Sequence, residues 1–467
     1  MRFSRRPALL AILLAAAASP LVGPPSASAE PAPSNSKSIY EKFSPSLVTV
    51  QYVWENEARR QEITALGIVI GEDGLVMTPL ITFSPAIPDE QMKDFKIVIP
   101  RSDTDHEELE ASFLGRDERH QLAFVKLKTP RKLPAVTFED KPLEVGEQVF
   151  SIGMLPKDSG YKTFLNISSV AARLRGETAA YLVGGPLVNV GGIVANASGE
   201  AVGFVFPQGE SPFFLFDPRL AQGGPQTRFF VPTFEFAPAF AALPVEGKPQ
   251  QLPFTGIFGL NGLSKDVSEV FGLIGKPAVE IGEVVPGSPA AVAGLEKGMI
   301  ITELDGQPLE RGDQPEELGG ILGRKLLRKN VGDTITFTVL KKRGDAPAPI
   351  KLTLTERPPQ PNTAKRFFAE DLGYTVRETV FIDLYRKKLA PDTKGVVVDF
   401  IKPNSQAATA RLARADLVTQ MNSQPVTDLA SFKTAYETFR RDRPKDAIVL
   451  QVVREGGTQV LRIEPPQ

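Results

Sequence analysis

The 467-residue chain contains no cysteine and only two histidines, His106 and His120. Disulfide bonds, thiolate catalysis and cysteine-ligated metals are therefore excluded, and a histidine-rich metal site is not expected. The 54 basic and 55 acidic residues nearly cancel, so no excess charge favours nucleic acid or an anionic membrane surface. We predict no metal, no cofactor and no nucleic-acid partner.

One charged cluster keeps a metal site open as an alternative. It contains Asp103, Asp105, His106, Glu107 and Glu108. A solvated hairpin tip explains the same residues, and no alternating calcium-ligand spacing is present. We therefore interpret the cluster as an exposed loop.

Long apolar runs are absent after the first thirty residues. The N-terminus has Arg2, Arg5 and Arg6, an apolar run over 8–18, and Ala27-Ser28-Ala29. This layout predicts a signal peptide over 1–29, cleaved after Ala29, and a tether over 30–38. The apolar run has about a dozen residues, fewer than the ~20 that span a bilayer, although an uncleaved anchor is the alternative. The mature chain is expected outside the cytoplasm, in the periplasm or an equivalent compartment, without a membrane span.

Short strand-like runs dominate the chain from Ile39 to about Phe240. Glycine, proline and aspartate separate them, and helical periodicity is scarce, which predicts an all-β sandwich or barrel. The runs are Ala65–Ile70, Gly74–Met77, Phe95–Ile99, Ala123–Lys126, Gln148–Ile152, Leu187–Val190 and Ala201–Phe206.

An internal repeat follows a proline-rich join at 243–253. Pro286-Gly287-Ser288-Pro289-Ala290-Ala291 recurs as Pro403-Asn404-Ser405-Gln406-Ala407-Ala408, an offset of 117 residues (403 minus 286). Asp305-Gly306-Gln307-Pro308-Leu309 recurs at the same offset as Asn422-Ser423-Gln424-Pro425-Val426. The repeat predicts two copies of one module, joined by a linker over 358–364.

Several motifs resemble those of bacterial HtrA/Deg-type periplasmic serine proteases. They are Ile39–Val50, Leu122–Leu127, Val145–Gly153 and Val183–Asn189. The resemblance implies a mainly-β protein in which a trypsin-like double β-barrel over 39–242 is followed by PDZ domains over 254–357 and 365–467. PDZ domains are small β-barrels with helices.

The positions of the family's catalytic residues carry other side chains. Thr78-Pro79-Leu80-Ile81-Thr82 stands where the family has Thr-Asn-Xaa-His-Val, and Gln121-Leu122-Ala123-Phe124 stands for Asp-Leu-Ala-Val. Tyr181-Leu182-Val183-Gly184-Gly185-Pro186-Leu187 stands for Gly-Asn-Ser-Gly-Gly-Pro-Leu. The resemblance thus places Ile81, Gln121 and Val183 at the triad positions and Tyr181 at the oxyanion glycine.

Isoleucine and valine have no proton to transfer, so neither acts as base or nucleophile. We therefore predict that the chain has no catalytic residue and is a pseudoprotease rather than an enzyme. The alternative is a divergent serine-type endopeptidase with a relocated site, using His120 with Ser168, Ser169 or Thr178. Neighbouring residues on a strand face opposite sides, so we expect His120 to point away from Gln121.

The PDZ resemblance implies peptide binding by strand addition. In the first module we predict Thr255, Gly256 and Ile257 at the carboxylate-binding loop, and Leu318 and Ile321 as pocket walls. In the second module the equivalents are Leu372, Gly373, Tyr374 and Phe432 or Ala435. The alternative is that the apolar helix residues only close each module's own core.

The second groove is the less certain, because Arg411 and Ala415 replace glycines of the pattern, and Met299 departs from it in the first module. Expected partners are C-termini or unfolded segments of envelope proteins, for a chaperone, adaptor or regulator of proteolysis. An active HtrA-type paralogue is a further candidate partner. The family resemblance also implies a homo-trimer through Tyr40 and Phe43, unless both belong to the core.

Overall fold

The computed structural model describes residues 35–57, 59–101, 105–206, 229–455 and 457–465. The predicted signal peptide over 1–29, and Asp103 of the charged cluster, lie outside these residues. Residues 36–467 form one compact unit.

The first six strands form a closed barrel in the order β1-β2-β3-β6-β5-β4. A short helix, α1 (Ser36–Phe43), precedes them. Inside this barrel the rings of Tyr52, Phe83, Phe95 and Phe113 pack with centroids 5.1–6.4 Å apart. The strands are β1 (Leu47–Glu55), β2 (Arg60–Gly71), β3 (Leu75–Pro79), β4 (Met92–Pro100), β5 (His106–Asp117) and β6 (Leu122–Leu127).

The next six strands form a second closed barrel in the order β10-β11-β12-β9-β8-β7. They are β7 (Gln148–Met154), β8 (Thr163–Arg175), β9 (Ala179–Val183), β10 (Ile193–Asn196), β11 (Ala201–Val205) and β12 (Phe229–Pro232). One core joins the two barrels, with Ile68 and Phe124 of the first packed with Phe150 and Ile193 of the second. Burial of these large apolar side chains from both barrels stabilises their association.

Helix α1 packs on this shared core. Ile39 and Phe43 are buried in it. The Tyr40 hydroxyl lies 2.6 Å from Thr163 Oγ1 of β8. Phe43, which the family resemblance assigned to a trimer contact, is 3% exposed and therefore serves the chain's own core.

The first module contains β13–β20. Its main sheet has the order β14-β15-β16-β18-β19, with β17 paired to β16, while β13 pairs with β20. The strands are β13 (Pro253–Phe254), β14 (Ile257–Gly262), β15 (Val279–Val284), β16 (Ile300–Leu304), β17 (Gln307–Pro308), β18 (Thr334–Leu340), β19 (Ala348–Thr353) and β20 (Thr355–Glu356).

The second module contains one sheet in the order β21-β22-β23-β24-β26-β27, with β25 paired to β24. The strands are β21 (Arg366–Ala369), β22 (Tyr374–Glu378), β23 (Val396–Ile401), β24 (Leu417–Met421), β25 (Gln424–Pro425), β26 (Ile448–Arg454) and β27 (Gly457–Ile463). Each module has its own apolar core.

Helices are short outside the two modules. Ser288 and Ser405 of the repeated turn each cap a one-turn helix, because each side-chain oxygen accepts a backbone N–H three residues on. The helices after α1 are α2 (Thr233–Phe236), α3 (Lys265–Val270), α4 (Pro289–Val292), α5 (Leu318–Leu327), α6 (Phe381–Arg386), α7 (Gln406–Thr409) and α8 (Leu429–Asp442).

The predicted fold class is confirmed: two trypsin-like β-barrels are followed by further β-sheets consistent with PDZ domains. Within the described residues, no helix combines the length and apolar character needed to cross a bilayer.

Candidate functional site

The positions aligned with the catalytic base and carboxylate are neighbours in the structure. Ile81 lies in a helical turn, Leu80–Phe83, and its side chain is 59% exposed. The adjacent Leu80 amide donates to the Gln121 carbonyl oxygen at 2.9 Å. The side-chain amide of Gln121 donates away from Ile81, to the Glu118 carbonyl oxygen at 2.9 Å. This pair cannot move a proton towards a substrate, because Ile81 has no polar atom.

The positions aligned with the nucleophile and the oxyanion glycine lie in a regular strand. Val183 ends β9, pairs with Val170 of β8, and is 2% exposed. Tyr181 stacks on Phe230, with ring centroids 5.1 Å apart, and its hydroxyl accepts the Leu143 amide at 2.9 Å. Both side chains therefore belong to the core of the second barrel.

The first two backbone amides of the loop after Val183 donate hydrogen bonds to β8. The Gly184 amide donates to the Ser169 carbonyl oxygen and the Gly185 amide donates to Ser168 Oγ, both at 2.9 Å. Ser168 is consequently a hydroxyl that lies directly against the nucleophile-like loop. The sequence named Ser168 as one of three candidate partners of His120, and its contact with this loop comes from the β8–β9 pairing.

His120 is held by a carboxylate that the sequence analysis did not single out. Its Nδ1 lies 2.7 Å from Asp117 Oδ2. Asp117 Oδ1 also accepts the Arg119 amide at 2.9 Å and Gln250 Nε2 at 3.0 Å. The Asp117 and His120 side chains are only 3% and 10% exposed. A carboxylate bonded to one imidazole nitrogen fixes the tautomer and orientation that a general base requires.

The surroundings favour the charged form of Asp117. Burial alone would raise the pKa of this carboxyl, but the hydrogen bonds from His120 and Gln250 outweigh burial and lower it. The spacing Asp117-Xaa-Xaa-His120 across the turn between β5 and β6 was the available sequence signal. Among the described hydrogen bonds and ion pairs, none joins His120 to Ser168.

The charged cluster near His106 contains ion pairs. Glu107 pairs with Arg101 and Arg131, and Glu108 pairs with Lys96. Within the described parts of the chain, no group of three or more acidic or histidine side chains is arranged to hold a metal ion.

The predicted carboxylate loop of the first module turns at a glycine. Gly256 has φ +82°, and a Cβ atom there would overlap the Ser288 side chain, so only glycine fits. Thr255 Oγ1 accepts the Ile257 amide at 3.2 Å. Strand β14, which begins at Ile257, pairs with β15 and, in the part of the chain that the structure describes, has no second strand beside it.

Helix α5 covers the second half of β14. A Cβ atom on Gly319 would overlap the Leu260 carbonyl oxygen, and one on Gly262 would overlap the Pro315 carbonyl oxygen. Leu318 and Ile321 are buried in the module's core. The two predicted pocket walls therefore do not line an open groove in this structure, because the helix backbone lies directly on the strand.

The predicted loop of the second module is a hairpin turn. Gly373 has φ +72°, and the amides of Leu372 and Gly373 donate to the Ala369 carbonyl oxygen at 3.2 and 2.8 Å. Arg411 and Ala415, which replace glycines, still adopt φ +62° and +69°. The chain has thus kept the loop conformations while changing the residues.

The remaining predicted groove residues of the second module are core residues. Tyr374, Leu372 and Phe432 are each 0% exposed and pack in one apolar cluster with Ala435 at its margin. In this structure β21 lies along the edge of β22 where a peptide would add, so the chain's own strand stands in the predicted groove of the second module.

The tip of the β8–β9 hairpin contacts the first module. Arg175 and Asp313 exchange two hydrogen bonds, from the Arg175 amide to Asp313 Oδ2 and from the Asp313 amide to the Arg175 carbonyl oxygen. Arg324 of α5 pairs with Glu177 at 2.9 Å. The strand that carries Val183 is therefore attached to helix α5.

Comparison with known proteins agrees with this geometry. A family model described as the trypsin-like peptidase domain matches residues 65–204. The chain is 25% identical over 409 residues to a probable periplasmic serine endoprotease, DegP-like, of Rhizobium meliloti (strain 1021), covering 84% of this chain and 73% of that protein. It is 26% identical over 410 residues to the protein of the same name in Pseudomonas fulva (strain 12-X), covering 85% and 78%.

A third relative is the periplasmic pH-dependent serine endoprotease DegQ of Escherichia coli (strain K12), which is 26% identical over 369 residues, covering 75% of this chain and 71% of that protein. Among solved structures, the HtrA-type protease AlgW with a tripeptide aligns at a TM-score of 0.53 and 18% identity, covering 69% of this chain and 98% of that one. That likeness concerns the fold.

The family model indicates a trypsin-like peptidase fold. The similarity to DegP-like proteins supports a relationship to the HtrA/DegP-type serine proteases. They also correct one prediction. The sequence analysis concluded from Ile81, Gln121 and Val183 that the chain is not an enzyme, whereas the relatives that match along most of its length are named serine endoproteases.

Proposed function

We propose that this chain is a periplasmic endopeptidase of the HtrA type with a relocated active site, which captures C-termini or unfolded segments of envelope proteins. The names of the relatives support both the compartment and the reaction. The contact between Asp117 and His120 carries the proposal, because a buried carboxylate orients the imidazole as a general base requires.

The proposed reaction cannot use Ile81 or Val183, since neither side chain has a transferable proton. His120 is the proposed base and Asp117 its positioning residue. Ser168 is the proposed nucleophile, because its Oγ lies beside the Gly185 amide, next to the position of the family's serine. The proposal requires substrate binding to bring His120 and Ser168 together.

Capture is assigned to the first of two proposed PDZ domains, 254–357 and 365–467, which follow the protease-like domain at 39–242. An extended peptide would add beside the first half of β14, with its terminal carboxylate near Gly256. Thr255 and Ile257 flank that site. Leu318 and Ile321 would become pocket walls if α5 moved away from β14 and broke the contact between Gly319 and Leu260. This assignment rests on the edge of β14, which no other strand of the described residues covers.

The proposed reaction is tested by measuring degradation of unfolded casein by the purified protein spanning residues 30–467. Asp117→Asn and His120→Ala are the test variants, and Ile81→Ala at the exposed aligned position is the matched control. We expect hydrolysis by the unmodified chain and by Ile81→Ala, and at least a hundredfold loss in His120→Ala, in line with the usual contribution of a general base. Absence of hydrolysis, or hydrolysis unaffected by His120→Ala, would overturn the proposed reaction.

Capture is measured separately, by binding of labelled casein and C-terminal peptides to the same proteins. We expect His120→Ala to bind as the unmodified chain does, because His120 lies in the first barrel and not beside β14. Loss of binding in parallel with hydrolysis would indicate a folding defect instead of a catalytic role.

A further inference from the structure

Strand β21 occupies the outer edge of β22 in the second module. The two strands pair antiparallel over four residues, from Arg366 opposite Arg377 to Ala369 opposite Tyr374. On its other side β22 pairs with β23. A peptide that binds by strand addition needs a free edge, so the chain's own segment stands where that peptide would lie.

The contacts of β21 and its turn are those of a bound peptide. The Phe367 ring packs against Phe432 and Tyr436, with centroids 6.1 and 5.5 Å away. The Ala369 carbonyl oxygen accepts both amides of the loop at Leu372 and Gly373.

A carboxylate completes these contacts. The side chain of Asp371 accepts the Tyr436 hydroxyl and pairs with Arg440, both on helix α8. The segment thus presents a backbone strand, an aromatic side chain, a carbonyl for the loop amides, and a carboxylate for the helix.

Arg366 fastens the start of this segment. Its Nε lies 3.0 Å from Asp399 Oδ2, and its guanidinium also donates to the carbonyl oxygens of Pro361 and Ala364 at 2.7 and 2.8 Å. Asp399 is the extra residue at a register shift between β22 and β23, and such a bulge redirects a side chain. The Arg366 side chain is only 9% exposed, so its loss should loosen β21.

The first module lacks this arrangement. The strand that precedes β14, β13, pairs with β20, and among the described residues no strand lies along the edge of β14. Occupation of the edge by a preceding strand is therefore particular to the second module.

We propose that β21 is an internal ligand of the second module, and that this module binds an external peptide only after β21 leaves. The external ligand has the chemistry of the internal one: an extended segment with an aromatic side chain followed four residues later by a carboxylate, as in Phe367 and Asp371. The inference rests on the proposed function in one respect, since it assumes that the modules bind peptides by strand addition.

The probe is a fluorescein-labelled synthetic peptide with the sequence of residues 365–371, Lys-Arg-Phe-Phe-Ala-Glu-Asp, measured by fluorescence anisotropy with purified 30–467. Arg366→Ala opens the site and Arg462→Ala, which removes an exposed ion pair with Glu464, is the matched control. We expect Arg366→Ala to bind the peptide at least tenfold tighter than the unmodified chain or the control. A peptide with serine in place of the first phenylalanine should lose that gain.

Phe367→Ser is a second opening variant, since it removes the ring that packs on α8, and it should give the same gain. The chain has no cysteine, so the opposed pair Phe368→Cys and Thr375→Cys can form a single disulfide that ties β21 to β22. In the Arg366→Ala background, oxidation should abolish peptide binding and reduction should restore it.

Equal affinity of the unmodified chain and the opened variants, or binding that survives oxidation, would overturn the inference. Casein hydrolysis is measured on the same samples. Hydrolysis with no gain in peptide binding would refute the internal ligand and leave the proposed function standing. A gain in peptide binding without hydrolysis would support the internal ligand and refute the proposed proteolytic function.

Discussion

The two C-terminal modules share a turn sequence at an offset of 117 residues but cover the edge strand next to it by different means. In the first module, α5 and the turn before it lie directly on β14, because Gly319 of the helix has no side chain to separate it from Leu260 and Gly262 of the strand has none to separate it from Pro315. In the second, β21 lies along β22 and α8 packs over it. A repeated turn thus predicts the loop conformation, while residues outside the repeat decide what lies against the neighbouring strand.

The same contrast appears in how each strand is held. Leu260 of β14 and Arg377 of β22 are 117 residues apart (377 minus 260). The Leu260 backbone packs on α5, whereas the Arg377 side chain, 6% exposed, pairs with Asp383 at 2.7 Å and with Asp399 at 3.3 Å. The first module is closed by helix–strand packing and the second by buried charge pairs.

The largest effect is expected from Arg377→Ala. Removing the buried guanidinium leaves Asp383 and Asp399, whose side chains are 11% and 19% exposed, with one fewer partner each. Loss of one member of a buried ion pair costs about 3–5 kcal/mol, and the partial exposure of these carboxylates places the expected fall in the second module's free energy of unfolding at the lower end of that range in urea titrations. Arg462→Ala, an exposed arginine of the same module, should leave unfolding unchanged. Equal behaviour of the two variants would show that buried charge pairs do not hold β22.

Gly319→Ala should have the next largest effect. The added methyl group would overlap the Leu260 carbonyl oxygen, so α5 has to move, and overpacking of this kind costs about 1–3 kcal/mol. Gly323→Ala on the same helix is the control, because a Cβ there meets no atom within 4 Å. Alanine favours a helix over glycine by about 1 kcal/mol, so the control should be stabilised. Urea unfolding of both variants separates the two effects, and stabilisation of Gly319→Ala would contradict direct packing.

The smallest expected effect is the change in the stability of α5 and α8 at acidic pH. Burial raises the pKa of the Glu317 carboxyl at the start of α5, while the Ser431 amide lowers the pKa of the Asp428 carboxyl at the start of α8. Protonation of Glu317 removes a cost present at neutral pH, so α5 becomes more stable as pH falls through that raised pKa. Asp428 contributes stability above its unfolded pKa of about 3.9, and that stability is lost as pH falls further.

Hydrogen exchange measured from pH 7 to pH 4 tests whether α5 and α8 respond to acid in opposite directions. After correction for intrinsic exchange, opening of α5 should become severalfold rarer, while the first turn of α8 should not gain protection. Glu317→Gln should remove the change in α5, and Glu316→Gln, at an exposed neighbouring position, should retain it. Retention of the change in Glu317→Gln would assign it to another group.

Local signals predicted an all-β region and a repeated module, and the family resemblance supplied the double barrel. Strand alternation, turn residues and the repeated turn depend only on nearby residues. Gly256 and Gly373 were identified through the PDZ resemblance, and each adopts a positive φ in the structure.

Only part of the candidate site depends on contacts between distant segments. Asp117 binds His120 across a local turn, a spacing that the sequence shows but that was not used, whereas its contact with Gln250 joins segments far apart in the chain. The open grooves were predicted from family resemblance, but covering of β14 depends on glycines of α5, and covering of β22 depends on where β21 pairs. The conclusion against catalysis came from three aligned positions, and the relocated site with His120 was kept only as the alternative.

The most direct test of a relocated active site is casein hydrolysis by the purified protein spanning residues 30–467, compared between the unmodified chain and His120→Ala at equal casein binding. We predict hydrolysis that depends on His120 and on its partner Asp117. No hydrolysis by the folded, casein-binding chain, or hydrolysis that His120→Ala leaves unchanged, would contradict it.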